Sequence, residues 1–398
     1  MRLRKILALF AGLLVSICLL ILLDRYAPQR GMQALEKTQI DAETTRFLNQ
    51  IASESLWGNY DIPTFKRDHT LKDFRQFIPY NDNHPHYEVP VANQHATHEL
   101  MILREGDRDF IRIFRAHYSV DSHARRTTIN SKLNPEMSLV LLGCSFTWGS
   151  GVEDDDTWAS VIAREEPRLH VYNLGARGIG PNDVIDDLQE HPHRWEDIRT
   201  KKGLVLYTFI ADHFDRALCG PSCYAEPRTY FNGHRARNRR SKSHYALENG
   251  ELVHRGYFQD ESRVLLWMKK WIFRSLILSS LYSVWTEDIV PEDMTPVAKM
   301  LEKIMIESKK KTGYDFLVVF FPDHEFKRLE EFKAELDQLG VPHIDYAHVK
   351  FNEALGERGF FAVDGHPSRL GNEAFGRLLL RDLRKREPLT ELVLSSRR

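Results

Sequence analysis

Three short segments carry residue types that could perform acyl-transfer chemistry together. The first is Leu142-Gly143-Cys144-Ser145-Phe146-Thr147-Trp148-Gly149. A serine in a glycine-containing turn after an apolar run can be held exposed, with its own backbone N–H open to a developing oxyanion. The second is Asn173-Leu174-Gly175-Ala176-Arg177-Gly178-Ile179-Gly180, whose glycines let a substrate approach the backbone and supply N–H donors. The third is Asp364-Gly365-His366-Pro367, near the C-terminus and just ahead of a helical pattern. An imidazole held by a carboxylate is the general base that a serine nucleophile needs. The second segment is not a dinucleotide fingerprint, because its glycine spacing is wrong and it follows a second strand rather than a first. Neither Ser145 nor His366 means much alone; their order and context carry the reading.

That context is a parallel sheet. Strands buried on both faces read as continuous apolar runs. Such runs occur at Leu139–Leu142, Val171–Leu174, Leu204–Tyr207, Phe316–Phe321 and, more weakly, Pro342–Asp345. Helical patterns follow at Thr157–Glu166, Pro181–Glu190, Pro296–Lys311, Glu325–Leu339 and Leu370–Lys385. Alternation of this kind predicts right-handed crossovers and helices on both faces, hence a doubly wound α/β domain. Ligands of such sheets bind beyond the carboxyl ends of the strands, where all three segments fall.

The chain has 398 residues, enough for one large domain with accessories. With 55 basic against 56 acidic residues it carries a formal charge of −1, which argues against a nucleic-acid partner. An apolar share of 42% and a charged share of 28% exclude a disordered chain. Arg2, Arg4 and Lys5 precede an apolar run from Ile6 to Leu23. At about 1.5 Å per residue that run nearly spans a hydrocarbon core of roughly 30 Å. It ends Leu22-Leu23-Asp24-Arg25-Tyr26 without a small-residue cleavage pattern, so we expect an uncleaved signal-anchor with the rest of the chain outside the cytoplasm. Cys18 belongs to that run.

The expected organisation is a transmembrane helix over 1–26, a stalk and small β-rich region over 27–135, the α/β domain over 136–386, and a tail over 387–398. A long insertion, about 212–296, interrupts the domain. Within it, Arg235, Arg237, Arg239, Arg240 and Lys242 read either as a solvated loop or as a contact for anionic lipid or polysaccharide. Val264–Trp285 is apolar but broken by Lys269, Lys270 and Arg274, which favours an amphipathic helix over a second span. Cys219 and Cys223 could pair across a short turn or remain thiols. His84, His86, His95 and His98 lack a completed ligand set and are expected to be polar surface residues.

The constellation resembles the SGNH (GDSL-like) hydrolase superfamily, which comprises esterases and acyl-transferring enzymes on a flavodoxin-like three-layer α/β/α fold. The resemblance covers about Ser138 to Lys385. Gly143-Cys144-Ser145 matches the Gly-Asp-Ser block and implies Ser145 as nucleophile. Gly178 matches the second-block glycine that donates to the oxyanion. Asp364-Gly365-His366-Pro367 matches the last block and implies His366 as base, with Asp364 orienting it. Three positions depart from the pattern: Cys144 replaces Asp, Asp364 lies two residues before His366 rather than three, and Asp212-His213 stands where an oxyanion-binding Asn is expected. An ionised carboxylate cannot donate a hydrogen bond. Either Asp212 is protonated, or His213 donates, or that third donor is missing.

The resulting expectation is a membrane-anchored, extracytoplasmic serine esterase. It would act on acyl esters without metal or organic cofactor, with O-acetyl groups on envelope glycans suggested by location. The rivals are an O-acyltransferase using the same residues and a catalytically silent glycan-binding or scaffold protein.

Overall fold

The uninterrupted apolar run at Leu139–Leu142 lies on an interior strand of a parallel sheet, where both faces of the strand are covered. The computed structural model describes residues 42–54, 74–76, 90–102, 111–131, 134–198, 200–219, 230–231, 234–235, 242–258, 293–360 and 365–386. The expected anchor, Asp364, Cys223, His84, His86 and the stretch 264–285 lie outside these residues. Among the described residues no helix is long and apolar enough to cross a membrane.

The described chain begins with helix α1 (Ala42–Glu54), then an antiparallel sheet of β1 (Phe74–Gln76), β2 (His95–Ile102) and β3 (Ile111–Ser119). The central sheet contains β4 (Met137–Gly143), β5 (Leu169–Asn173), β6 (Gly203–Phe209), β7 (Asp315–Phe320) and β8 (His343–Asp345). All its pairings are parallel, in the spatial order β8-β7-β6-β4-β5. Counted along the chain this is the flavodoxin-like order 2-1-3-4-5.

The reversal of direction at β4 decides which face each helix covers. The crossover from β4 to β5 runs one way along the sheet, and the one from β5 to β6 runs back over β4. Right-handed crossovers in opposite directions place their helices on opposite faces. Accordingly α2 (Trp158–Glu165) packs with the last helix, α3 (Arg369–Leu383), while α4 (Pro181–Glu190) packs with α5 (Thr295–Thr312). Every residue of β4 and β6 is buried, and the core is continuous across both faces. The helix starts are chemically marked. Thr157 accepts the Ser160 N–H at the head of α2, and Ser368 accepts the Gly371 N–H at the head of α3.

The small antiparallel sheet is fused to this domain through polar contacts. The Tyr118 hydroxyl accepts the Gly151 N–H at 2.8 Å, and its ring meets Trp148 edge-on. The Ser119 N–H donates to Asp154 at 2.9 Å. His98, expected at the surface, is instead buried, with Nδ1 2.7 Å from the Tyr118 hydroxyl. Its strand turns that position inward against Phe114 and Tyr118. Burial first, then the influence of the neighbouring Arg177, His366 and Arg126 side chains, pushes the His98 pKa down to about 2.

A pH effect follows from that burial. Below about pH 6.5 the unfolded chain binds a proton at this residue that the folded chain does not, so acid favours unfolding. Relative to a His98→Gln variant, the wild type should lose about 1.4 kcal/mol of stability per pH unit below pH 6.5. Urea titrations of both proteins at pH 7, 6 and 5 measure the difference directly. Parallel stability curves would show that His98 is not neutral and buried in solution.

Candidate active site

Strand β4 delivers the candidate nucleophile through a tight elbow. Gly143 ends the strand at φ +139°, and a Cβ there would lie 2.4 Å from Thr147 Oγ1 and 3.0 Å from the Thr208 carbonyl. Cys144 stays extended, and its carbonyl accepts the N–H groups of Thr147 and Trp148 at 3.0 and 2.9 Å. Ser145 therefore opens a single helical turn, Ser145–Trp148, with its N–H among the first amides of that turn. Its side chain is 5% exposed.

The second segment runs along the edge of this turn. Asn173 donates to the Thr147 carbonyl at 2.8 Å and accepts the Gly175 N–H at 3.0 Å. A Cβ at Gly175 would fall 2.6 Å from the Trp148 nitrogen, so only glycine lets the two backbones approach. The Leu174 and Ala176 N–H groups bond to the Leu141 and Gly143 carbonyls at 2.9 and 3.0 Å. The Gly180 N–H bonds to Asp183 at 2.8 Å. Gly178 is the exposed tip of this loop.

His366 arrives from the opposite end of the domain, with Nε2 2.8 Å from Ser145 Oγ. Three buried groups set that distance. The Trp158 indole donates to the Phe146 carbonyl at 3.0 Å, and the Trp158 N–H donates to Asn372 Oδ1 at 3.1 Å. Asn372 Nδ2 donates to the carbonyls of Pro367 and Ser368 at 3.0 and 2.9 Å. The loop bearing the imidazole is thereby tied to the turn bearing the hydroxyl. The sequence reading passed over Asn372, whose partner Trp158 lies 214 positions away.

Replacing Asn372 with Ala leaves buried donors and acceptors unpaired, at roughly 1–3 kcal/mol. A displacement of His366 by about 1 Å should lower kcat/KM on an activated ester about 100-fold. Urea unfolding and steady-state hydrolysis test the two effects separately. Unchanged kcat/KM would mean that other contacts set the histidine loop.

The third segment departs from expectation. His213 is fully buried, stacked edge-on to Phe209 and hydrogen-bonded through Nδ1 to the Tyr207 hydroxyl at 3.0 Å. Burial, then the influence of the neighbouring Arg216, His324 and Lys242 side chains, holds its pKa well below the usual imidazole range. A substrate oxygen cannot reach a ring enclosed in this way, so the expectation that His213 donates to the oxyanion is corrected. Asp212, about half exposed, accepts from Arg216 at 3.2 Å. Both residues lie on a seven-residue helix, Asp212–Leu218, where consecutive side chains point about 100° apart. Asp212 and Arg216 share the outer face, and His213 turns inward.

Sequence reasoning also missed Arg216 and His324. Arg216 reaches from the third segment to the Ile179 carbonyl of the second at 3.3 Å. The His324 ring packs edge-on to Phe146 at 4.9 Å, and Phe146 lies 5.2 Å from His366. Burial, with Asp212 opposing and Arg216 and His366 assisting, lowers the His324 pKa to about 4. Cys144 and Cys219 are buried free thiols. One grouping elsewhere, Glu330, Asp345 and His348, has ligand-like spacing. The Lys333 ammonium already sits within it, 2.6 Å from Glu330 and 2.8 Å from Asp345, and supplies the neutralising charge.

No protein-family model matches the chain, and no curated protein does either. Solved structures similar to it include a member of the lipolytic protein G-D-S-L family from Veillonella parvula. That structure has 14% identity and a TM-score of 0.33, over 61% of this chain and 97% of the other. A lipase/acylhydrolase from Enterococcus faecalis has 13% identity and a TM-score of 0.32, over 63% and 96%. The lipase Lip_vut3 from a goat rumen metagenome has 18% identity and a TM-score of 0.32, over 61% and 95%. Similarities of this size decide nothing about chemistry, which has to come from the site itself.

Proposed function

We propose that this chain is a serine esterase of the SGNH type, with Ser145 as nucleophile and His366 as general base. The observation that carries the reading is the 2.8 Å contact between Ser145 Oγ and His366 Nε2, made across 221 positions at the carboxyl end of the sheet. In the first half-reaction Oγ attacks the acyl carbon while its proton passes to Nε2. The tetrahedral oxyanion takes hydrogen bonds from the Ser145 and Gly178 N–H groups. His366 then protonates the departing alcohol, leaving an acyl-serine. Water attacks that ester, gives its proton to Nε2, and the acid departs as Oγ recovers the proton. Asp364 is assigned to hold the imidazole from its position two residues earlier.

The proposal extends to location and substrate. The apolar run at Ile6–Leu23 would anchor the chain, with the site outside the cytoplasm and O-acetyl groups on envelope glycans as substrate. An acceptor hydroxyl replacing water in the second half-reaction would give an O-acyltransferase through the same acyl-serine. The full chain, incubated with a fluorophosphonate probe, should label at Ser145, and Ser145→Ala should abolish labelling. A folded wild type that neither labels nor hydrolyses activated esters would overturn the esterase reading and leave a silent binding protein.

A further inference from the structure

The insertion reaches the second loop through Lys242 as well as through Arg216. Lys242, the last of the basic residues that read as a solvated or lipid-contacting run, is neither solvated nor turned to an external anion. Its side chain is 14% exposed and its ammonium donates to the Gly178 carbonyl at 2.8 Å. The same ammonium is paired with the carboxylate of Asp183, which is 1% exposed. That carboxylate accepts the Gly180 N–H at 2.8 Å. The groups close a ring: Gly178 carbonyl, Lys242, Asp183, Gly180 N–H. It brackets the tip of the second loop on both sides of Ile179, whose carbonyl accepts from Arg216 at 3.3 Å.

Lys242 is itself held rigidly. It opens a hairpin of two antiparallel strands, Ser243–Glu248 and Glu251–Tyr257. Its carbonyl accepts the Phe258 N–H at 3.0 Å. The next residue, Ser243, is fixed to α4 by the bond from Asn182 to its carbonyl at 2.9 Å and by its hydroxyl to Asp186. Tyr245 adds a 2.8 Å bond to the same Asp186 carboxylate. The hairpin therefore aims the ammonium at one peptide. Anchoring the Gly178 carbonyl fixes the plane of the peptide that Gly178 shares with Ile179, and so restrains, across the Gly178 Cα, the preceding peptide that carries the Gly178 N–H.

We propose, on the basis of the esterase reading above, that Lys242 and Asp183 form a positioning clamp holding the Gly178 loop in its oxyanion-binding shape. The insertion is then part of the catalytic machinery rather than an appendage. Lys242 touches no reacting atom; it acts through the backbone of Gly178. Oxyanion donors act only in the transition state, so a loosened clamp lowers kcat and leaves KM nearly unchanged.

The test uses the full chain carrying Lys242→Met, Lys242→Arg, or the pair Lys242→Met with Asp183→Met. The pair removes the clamp without leaving an unpaired buried charge, which the single change to methionine leaves at Asp183. Both methionine variants should lose about 100-fold in kcat with KM within about two-fold of wild type. A trifluoromethyl ketone, which mimics the tetrahedral oxyanion, should bind more weakly by the same factor. Arginine should restore most of the loss. Hydrogen exchange over residues 174–183 should accelerate in both methionine variants, which tests the clamp independently of activity. Wild-type kcat, or unchanged exchange in the folded pair variant, overturns the proposal. An inert wild type with accelerated exchange in the variants overturns the esterase reading and leaves the clamp standing.

Discussion

Removing either Ser145 or His366 should lower kcat on an activated ester by a factor on the order of 10⁴ to 10⁶, and removing both should cost no more than removing one. The non-additivity follows from the 2.8 Å contact. Without the imidazole, Oγ has no acceptor for its proton and attacks at its feeble intrinsic rate. Without Oγ, the imidazole has nothing to activate, and only oxyanion donors and binding remain. Single and double alanine variants of the full chain, assayed with one activated ester, provide the measurement. Effects that multiply would mean that the two side chains act separately, and the paired mechanism would fail. Neither substitution should destabilise the fold much, because Ser145 sits in a turn built from backbone bonds and His366 lies at the partly buried edge of its loop.

What the sequence made legible depended on how local the physical signal was. The central strands announced themselves because burial on both faces demands consecutive apolar residues, as at Leu139–Leu142. The helix over 181–190 could be bounded closely because Pro181 fits a first helical position and Gly180 precedes it. Ser145, Gly178 and His366 could be proposed as one group because their order along the chain places each beyond the carboxyl end of the sheet, and the fold brings Ser145 and His366 within 2.8 Å. Of the alternatives left open at the third segment, donation by His213 is disfavoured for a geometric reason. Adjacency to a site in sequence does not tell which way a helical side chain turns, and one position separates the ion-paired Asp212 from an enclosed ring. Lys242 looked like one more cation in a basic run, since its partners lie 59 and 64 positions away. Asn372, Arg126 and Lys242 share this character: their types are ordinary and only the folded neighbourhood gives them work.

Arg126 should be the residue whose loss damages the molecule most. Its guanidinium is completely buried and donates to the carbonyls of Trp148 at 2.7 Å and Val152 at 2.6 Å, and to Gly149 between them. It also reaches Asp154 at 3.1 Å and lies over the rings of Tyr118 and Trp148, 4.2 and 5.4 Å from their centroids. A short turn ends with carbonyls that lack partners of its own, and here one planar fork satisfies them. Replacing Arg126 with Met would leave those carbonyls and a carboxylate buried beside an apolar chain. We expect a loss of roughly 3–5 kcal/mol, from a total of roughly 5–15 kcal/mol for a typical domain. Lysine keeps the charge but cannot span the same acceptors, so Arg126→Lys should fall between the two. Burial already raises the pKa of Asp154, with Arg126 the foremost opposing influence. Losing the guanidinium should raise it further, so the deficit of Arg126→Met should shrink as pH falls and Asp154 takes up a proton. Urea unfolding of the three proteins between pH 5 and 8 tests both the size and the pH trend. A methionine variant within 1 kcal/mol of wild type would mean that the Ser145 turn holds its shape without the arginine, and that the bonds from Tyr118 and Ser119 suffice to join the small antiparallel sheet to the domain.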